Sequence, residues 1–491
     1  MRPSLFLSTV DQPQAQRQMR HALTAWREPL VTFIAMAITI AIVSAVAPVP
    51  GALILGGVLT MTMSRNRLAN SWRGRAEALL LLPLIALVTI GVGHLLKTLP
   101  LVGASAFVIA MFVSIWLRRF GPVWTRIGTL LALPFVTLLL VPGISVGLAH
   151  SRFGAMAIAL VALIVVVVIR LVAIGSGFLA VDAPRPEATM PKAPSALRPI
   201  ASTRMALQLA IALVLAFALG WTVFPGHYSW VVLTAFIVCS GNRGRVDVLY
   251  KSGLRVAGAV AGTVVAATLN ILHPQVEMSG FAMTLTVLGI LGIGLWLRSW
   301  TYALWALAMT LVASLLQGIA SPIPQGDVIQ LWQRVFAIVG GALCGVLSSW
   351  LVLPVRSEPV VRRRLADALA ALSAFFADRT PENRSQVEAA LLSLNEIAPP
   401  WMSWERVARP RQSLRRPGQW IRLANSSIDM ALRFGDVPGS LRRMLGDTRK
   451  ALREPEAIGP ALLALNEAFR AQLAVQQPSP DGSIFRPESL A

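Results

Sequence analysis

Four cations fall within thirteen residues: Arg243, Arg245 and Lys251 follow the apolar string that starts at Trp230, and Arg255 stands in the opening turn of a second apolar run from 253. Fixed positive charge beside a low-dielectric slab is the chemistry of anion capture. It gathers a carboxylate by its field and holds it through charge-assisted hydrogen bonds. Trp230 adds an aromatic face at the same place. Arg65, Arg67, Arg73 and Arg75 stand in a matching relation to an earlier apolar stretch. Arg255 and Arg75 lie nearest their apolar helices and are the sharper anion-binding candidates. For Arg243, Arg245 and Lys251, topology signalling and lipid-headgroup contact explain the charge at least as well.

Proton coupling inside a membrane needs titratable groups. Asp247, inside the second cluster, and Glu77, two residues after Arg75, are the acids near the proposed site; pairing with a neighbouring arginine is the competing reading. His227, in the break Pro225-Gly226-His227, completes the coupling candidates, with His94, His150 and His273 on the same side. The histidine spacing fits no metal motif. The chain also lacks GxxxxGK[ST], HExxH and CxxC, so the expectation is a non-enzyme without cofactor or metal.

The elements that position these residues follow from composition. Apolar residues make up 55% and charged residues 14%, with mean hydropathy +0.65, against about a quarter charged in soluble domains. This is the composition of an all-α polytopic membrane protein. The net charge of +21 divides unevenly, with 24 Lys/Arg against 8 Asp/Glu in residues 1–355 and 20 against 15 in 356–491. Most of the excess sits in short loops between apolar runs. The positive-inside bias accounts for that pattern without a nucleic-acid partner and places both termini in the cytoplasm.

Residues 1–29 are a polar cytoplasmic arm. Apolar runs at 30–47, 51–64, 76–96, 101–117, 127–145 and 153–174 form a first six-helix repeat within 30–181. A Pro-rich basic linker occupies 182–203. Runs at 204–223, 229–240, 253–272, 279–297, 301–318 and 331–353 form a second repeat within 204–355. Helical apolar spacing at 360–377, 383–398, 419–434 and 459–475 predicts a cytoplasmic helical region over 356–478, with a disordered tail at 479–491. Within it, Thr380-Pro381-Glu382 reads as a helix start. The stretch Trp401–Trp420 reads as a loop over the helices.

About twelve spans are therefore expected, as two repeats running in the same direction. Pro50-Gly51 matches Pro225-Gly226, Asn66-Arg67 matches Asn242-Arg243, Arg75 matches Arg255 and Trp116-Leu117-Arg118 matches Trp296-Leu297-Arg298, at offsets that drift only from 175 to 180. Parallel repeats imply an axis along the membrane normal and a shared pathway at their interface. The stretches 51–64 and 229–240 are each too short to cross about 30 Å of hydrocarbon as a straight helix. Paired short, Gly/Pro-interrupted segments are the sequence mark of a transport site.

At Trp230–Gly262 the string WVVLT, a basic loop and then R-x-x-G-x-x-x-G resembles the fusaric acid resistance and aromatic acid exporter family, to which plant aluminium-activated malate channels are distantly similar. Trp230, Leu233, Thr234, Arg255, Gly258 and Gly262 carry the match, with Ala259 where the family pattern has Thr. Arg334, Gly341 and Pro354 resemble its closing helix. In the first repeat Arg75 is kept, but Ala78 and Leu82 replace the two glycines.

The resemblance implies efflux of aromatic or related organic carboxylates across the inner membrane, driven by the proton gradient, with a periplasmic adaptor protein as a partner and a homo-oligomer compatible with the fold. A passive organic-anion channel and a non-transporting membrane scaffold are the alternatives. In the exporter reading Arg255 and Arg75 hold the carboxylate, Trp230 offers its ring, and Asp247 or Glu77 couples protons.

Overall fold

The computed structural model describes residues 27–46, 50–65, 72–140, 156–175, 201–241, 244–272, 280–298, 300–320, 328–352, 357–407, 416–434 and 437–476. The N-terminal arm up to residue 26, nearly all of the linker, Arg67, Arg243, His150, His273 and the C-terminal tail lie outside the described residues. So do the side chains of Arg65, Arg73, Arg75 and Glu77, whose backbone is helical.

Twelve helices are described in the apolar part of the chain: α1 Arg27–Val46, α2 Pro50–Arg65, α3 Trp72–Thr98, α4 Pro100–Trp116, α5 Pro122–Leu140, α6 Met156–Gly175, α7 Ala201–Val223, α8 Tyr228–Cys239, α9 Arg245–Leu272, α10 Gly280–Leu297, α11 Tyr302–Ala320 and α12 Val328–Leu351. Among the described residues there is no strand. Six of these helices are long and apolar enough to cross a membrane, and shorter apolar helices accompany them. The protein is an all-α polytopic membrane protein. Apolar residues outside the core, such as Leu80, Leu84, Leu101, Ile109, Phe336 and Leu343, are exposed. That is the expected solution where the solvent is lipid and every backbone polar group is paired within its own helix.

Six helix pairings recur in the two halves, while the packing of α3 on α4 has no close counterpart between α9 and α10. α1 packs on α2 and α6, and α2 on α6; α3 packs on α5 and α6, and α4 on α5. Likewise α7 packs on α8 and α12, and α8 on α12; α9 packs on α11 and α12, and α10 on α11. Across the halves α4 packs on α7 and α1 on α10. Phe107 of α4 meets Phe217 of α7 edge-on at 5.8 Å, and a Cβ at Gly292 of α10 would stand 3.0 Å from the Phe33 ring of α1.

The second helix of each half is short, sixteen residues in α2 and twelve in α8. By rise per residue α8 is about 18 Å long. It starts from the single 3-10 turn Pro225–His227 and ends at a turn built on Gly241 (φ 62°) and Gly244 (φ 131°). Both angles lie in the region that favours glycine.

One expectation is corrected here. Arg245, Asp247 and Lys251 lie on α9, which starts about two turns before the apolar run at 253. The reason is local. Asp247 occupies the first turn, where a carboxylate opposes the helix dipole, and it pairs with Lys251 at i+4 over 2.8 Å.

The polar C-terminal part forms its own compact unit of six described helices: α13 Glu358–Ala377, α14 Pro381–Asn395, α15 Ala398–Val407, α16 Pro417–Ala431, α17 Gly439–Ala451 and α18 Pro455–Gln476. Its core gathers Leu365, Leu369, Phe376, Trp420, Ile428, Leu462 and Phe469. The start at Thr380 is as expected, with its side chain accepting from the Asn383 N–H at 3.2 Å and Pro381 in the first turn.

α15 and α17 were not foreseen. Trp401 and Trp404 lie on α15 instead of a loop, while Arg409, Arg411 and Arg415 fall outside the described residues. α17 buries only Leu441, Leu445 and Thr448 among charged neighbours, too sparse a stripe to register as an apolar run.

Candidate anion site

Among the described residues the most deeply buried cation of the membrane part is Arg334, 1% exposed, six residues into α12. Its guanidinium is held from two directions. The Arg334 Nη2 group donates to the Thr310 carbonyl at 3.2 Å and to the Ser314 hydroxyl, both on α11. Its carbon lies 5.1 Å from the ring centroid of Trp230 on α8. A desolvated guanidinium over an indole face gains about 2 kcal/mol. That contact and the hydrogen bonds offset a burial cost of several kcal/mol for the charge.

Glycines bring these helices together. A Cβ at Gly341 of α12 would collide with the Val231 carbonyl of α8, and one at Gly345 would stand 3.0 Å from Val238 Cγ1. On α9, a Cβ at Gly258 would collide with the Ala303 carbonyl of α11, and one at Gly262 would lie 2.8 Å from the Leu307 carbonyl. Close backbone approach through small residues is the packing mode available in lipid. Here it brings Trp230, Thr310 and Arg334, far apart in sequence, to one level of the bundle.

Arg255 is 2% exposed. It lies within electrostatic reach of Arg334, as does His227 at the end of the 3-10 turn. Arg255 Nε is buried without a hydrogen-bond partner. Ala259, one turn further along α9, is fully buried in the cluster that also holds Trp230 and Ile338.

The other candidates are occupied elsewhere. Arg245 Nη2 donates to the Trp350 carbonyl at 3.3 Å and stacks on the Trp350 ring at 5.5 Å. It thus serves the C-terminal end of α12, where a cation meets the negative pole of the helix. Lys251 binds Asp247 and the Gly241 carbonyl at 3.3 Å, fastening the α8–α9 turn. Asp247 is the only acid before Glu358 whose side chain is described. Arg119 stacks on Trp116 at 5.3 Å and Arg298 on Trp305 at 5.9 Å.

The structure therefore brings together Arg255, Trp230 and His227 around Arg334, and sets Arg245, Lys251 and Asp247 apart from them. Arg243 and the side chains of Arg75 and Glu77 lie outside the described residues. Sequence reasoning passed over Arg334 as a site residue. Its signal was an arginine set within an apolar span, which in a membrane marks function by default. The arrangement offers guanidinium charge, hydroxyl groups and an aromatic face among buried residues, the donor set that receives an anion attached to an aromatic or apolar body.

Fold and site together define a multi-pass membrane protein with a cationic, aromatic-lined interior. Residues 209–348, from α7 to near the end of α12 and including Trp230, Arg255 and Arg334, match the family model described as fusaric acid resistance protein-like. Over that segment the chain is similar to fusaric acid resistance proteins. No curated protein matches the chain.

Proposed function

We propose that the protein is a secondary transporter that exports aromatic or related organic carboxylic acids across the cytoplasmic membrane at the expense of the proton gradient. The observation that carries this reading is the buried Arg334 guanidinium stacked on Trp230 with Arg255 in electrostatic reach. A carboxylate satisfies the cations, and its ring takes the apolar and aromatic walls. The family match supports transport as the activity.

In this reading the chain has both termini in the cytoplasm and consists of two six-helix repeats, which the common helix pairing of the halves supports. Arg75 holds the counterpart position to Arg255, and Arg243 gathers substrate at the cytoplasmic mouth. His227, near Arg334, is the best-placed group to exchange a proton with the site, with Asp247 and Glu77 as cytoplasmic acids. A periplasmic adaptor protein receives the exported acid, and the chain works as a homo-oligomer or alone.

The test is growth inhibition by a panel of aromatic acids in a strain lacking the protein, complemented with the wild-type chain or with Arg255→Ala. The wild type should restore growth and the variant, inserted at equal level, should not. Full protection by the variant would remove Arg255 from the site. In proteoliposomes, anion flux down its own gradient without a pH gradient, together with no uphill movement when one is imposed, would make the protein a channel.

A further inference from the structure

Hydroxyl groups within apolar helices ordinarily donate to the carbonyl three or four residues back. In the membrane part Thr39, Thr60, Thr89, Ser105, Ser114, Thr129, Thr222, Thr268, Thr286 and Thr310 all do so. Three buried hydroxyls well inside helices do not. Thr234 on α8, Ser252 on α9 and Thr263 on α9 are 0%, 6% and 2% exposed, and their oxygens have no hydrogen-bond partner. Each has a carbonyl one turn back within its own helix. A buried hydroxyl left without a partner carries a penalty that apolar replacement would remove, so three in one region call for a ligand.

Their placement is consistent with one. On α9 the glycine pair Gly258 and Gly262 faces α11. The adjoining sector of the helix carries Ser252, Arg255, Ala259 and Thr263, all buried, and α12 is the other helix packed closely along α9. Thr234 on α8 also faces α12, where a Cβ at Gly341 would lie 3.0 Å from its Cβ. From Ser252 to Thr263 is eleven residues, about 16 Å of helix rise, or roughly half of the hydrocarbon thickness. Arg255 lies on this line and Arg334 within its electrostatic reach. The positive field repels a cation from these oxygens, which leaves them as donors to an anion.

We propose that the anion crosses through the interior of the second half, along the Ser252–Arg255–Thr263 face of α9 opposite α8 and α12, with the Thr234 and Thr263 hydroxyls donating to its carboxylate as it moves from Arg255 towards Arg334. This rests on the transport reading above and relocates the path that parallel repeats would put in the seam between the halves. The repeat offsets place buried Leu55 and Leu130 where the second half has Trp230 and Thr310. The same offsets place buried Leu59 and half-buried Pro83 where the second half has Thr234 and Thr263, so those two hydroxyls have no counterpart at these positions.

The experiment uses the full chain in proteoliposomes with radiolabelled benzoate as the probe. Thr234→Val and Thr263→Val are nearly isosteric and should each lower transport about tenfold, the factor one hydrogen bond carries. Ala259→Leu, which fills the line, should abolish it. Thr268→Val, whose hydroxyl already bonds the Val264 carbonyl at 2.9 Å on an exposed face, should match the wild type. Wild-type rates in both Thr234→Val and Thr263→Val, with Arg255→Ala inactive, would overturn the path while leaving the carboxylate reading intact. A wild-type rate in Arg255→Ala, or no benzoate transport by the wild-type chain, would overturn both.

Discussion

Arg334→Lys keeps the formal charge of the buried site and removes the planar fork, so it separates charge from geometry. In the wild type one nitrogen of the fork serves both the Thr310 carbonyl and the Ser314 hydroxyl, while the guanidinium plane covers Trp230. An ammonium on a flexible stem keeps at most one hydrogen bond with good geometry and stacks poorly. The loss is then one charge-assisted hydrogen bond, about 1.5–3 kcal/mol, plus about 1 kcal/mol of the stacking term. Together they destabilise α8–α11–α12 by about 3 kcal/mol, since Arg334 and Trp230 are buried and the lost contacts leave polar groups unpaired.

Reversible unfolding of the purified protein in mixed micelles, as the fraction of denaturing detergent rises, measures the difference. Trp230→Leu closes a double-mutant cycle. Because Arg334→Lys has already lost about half of the stacking, the two changes should fall short of additivity by about 1 kcal/mol. Strict additivity, or Arg334→Lys as stable as the wild type, would refute the view that the Trp230 face holds the guanidinium.

Further outcomes follow from the same geometry. Gly262→Leu should sharply reduce the yield of monodisperse protein, because its Cβ would start 2.8 Å from the Leu307 carbonyl and 2.9 Å from Thr310 Cβ; size-exclusion chromatography reads this. Arg245→Gln should cost only about 1 kcal/mol, the scale of a cation at a helix C-terminus, and leave transport at half the wild-type rate or better. In the C-terminal unit, Asn466→Ala takes the Asn466 Nδ2 donor away from the Ser427 hydroxyl and the Leu423 carbonyl, 3.1 and 3.4 Å away. It should lower hydrogen-exchange protection of α16 in the full chain by about 1–3 kcal/mol.

Much of the architecture was legible in the sequence, because lipid imposes it. Each apolar run became one helix, and the brevity of 51–64 and 229–240 reappears in α2 and α8. The start of α9 was less legible. Arg245, Asp247 and Lys251 read as loop by composition, but an i, i+4 ion pair and an acid in the first turn extend the helix through them. The C-terminal unit shows the same limit. α17 holds its place through two leucines and a threonine that only the packed core makes significant.

Among the site residues, composition and spacing singled out Arg255 and Trp230 and could not sort the neighbouring cations. Arg245 and Arg255 look alike in sequence. They part in the fold, where one meets the carbonyl end of α12 and the other is buried beside Arg334.

The amino-acid sequence by itself determined that this chain is a helical membrane protein with uneven basic charge, paired short helices and a fusaric acid resistance-like segment. Those properties are local, set by hydropathy, run length and motif spacing. Only the tertiary structure decided that Arg334 is the central cation and that Trp230 stacks beneath it. That outcome depends on glycines in α9 and α12 letting four helices approach closely enough for residues more than a hundred positions apart to share one buried interior.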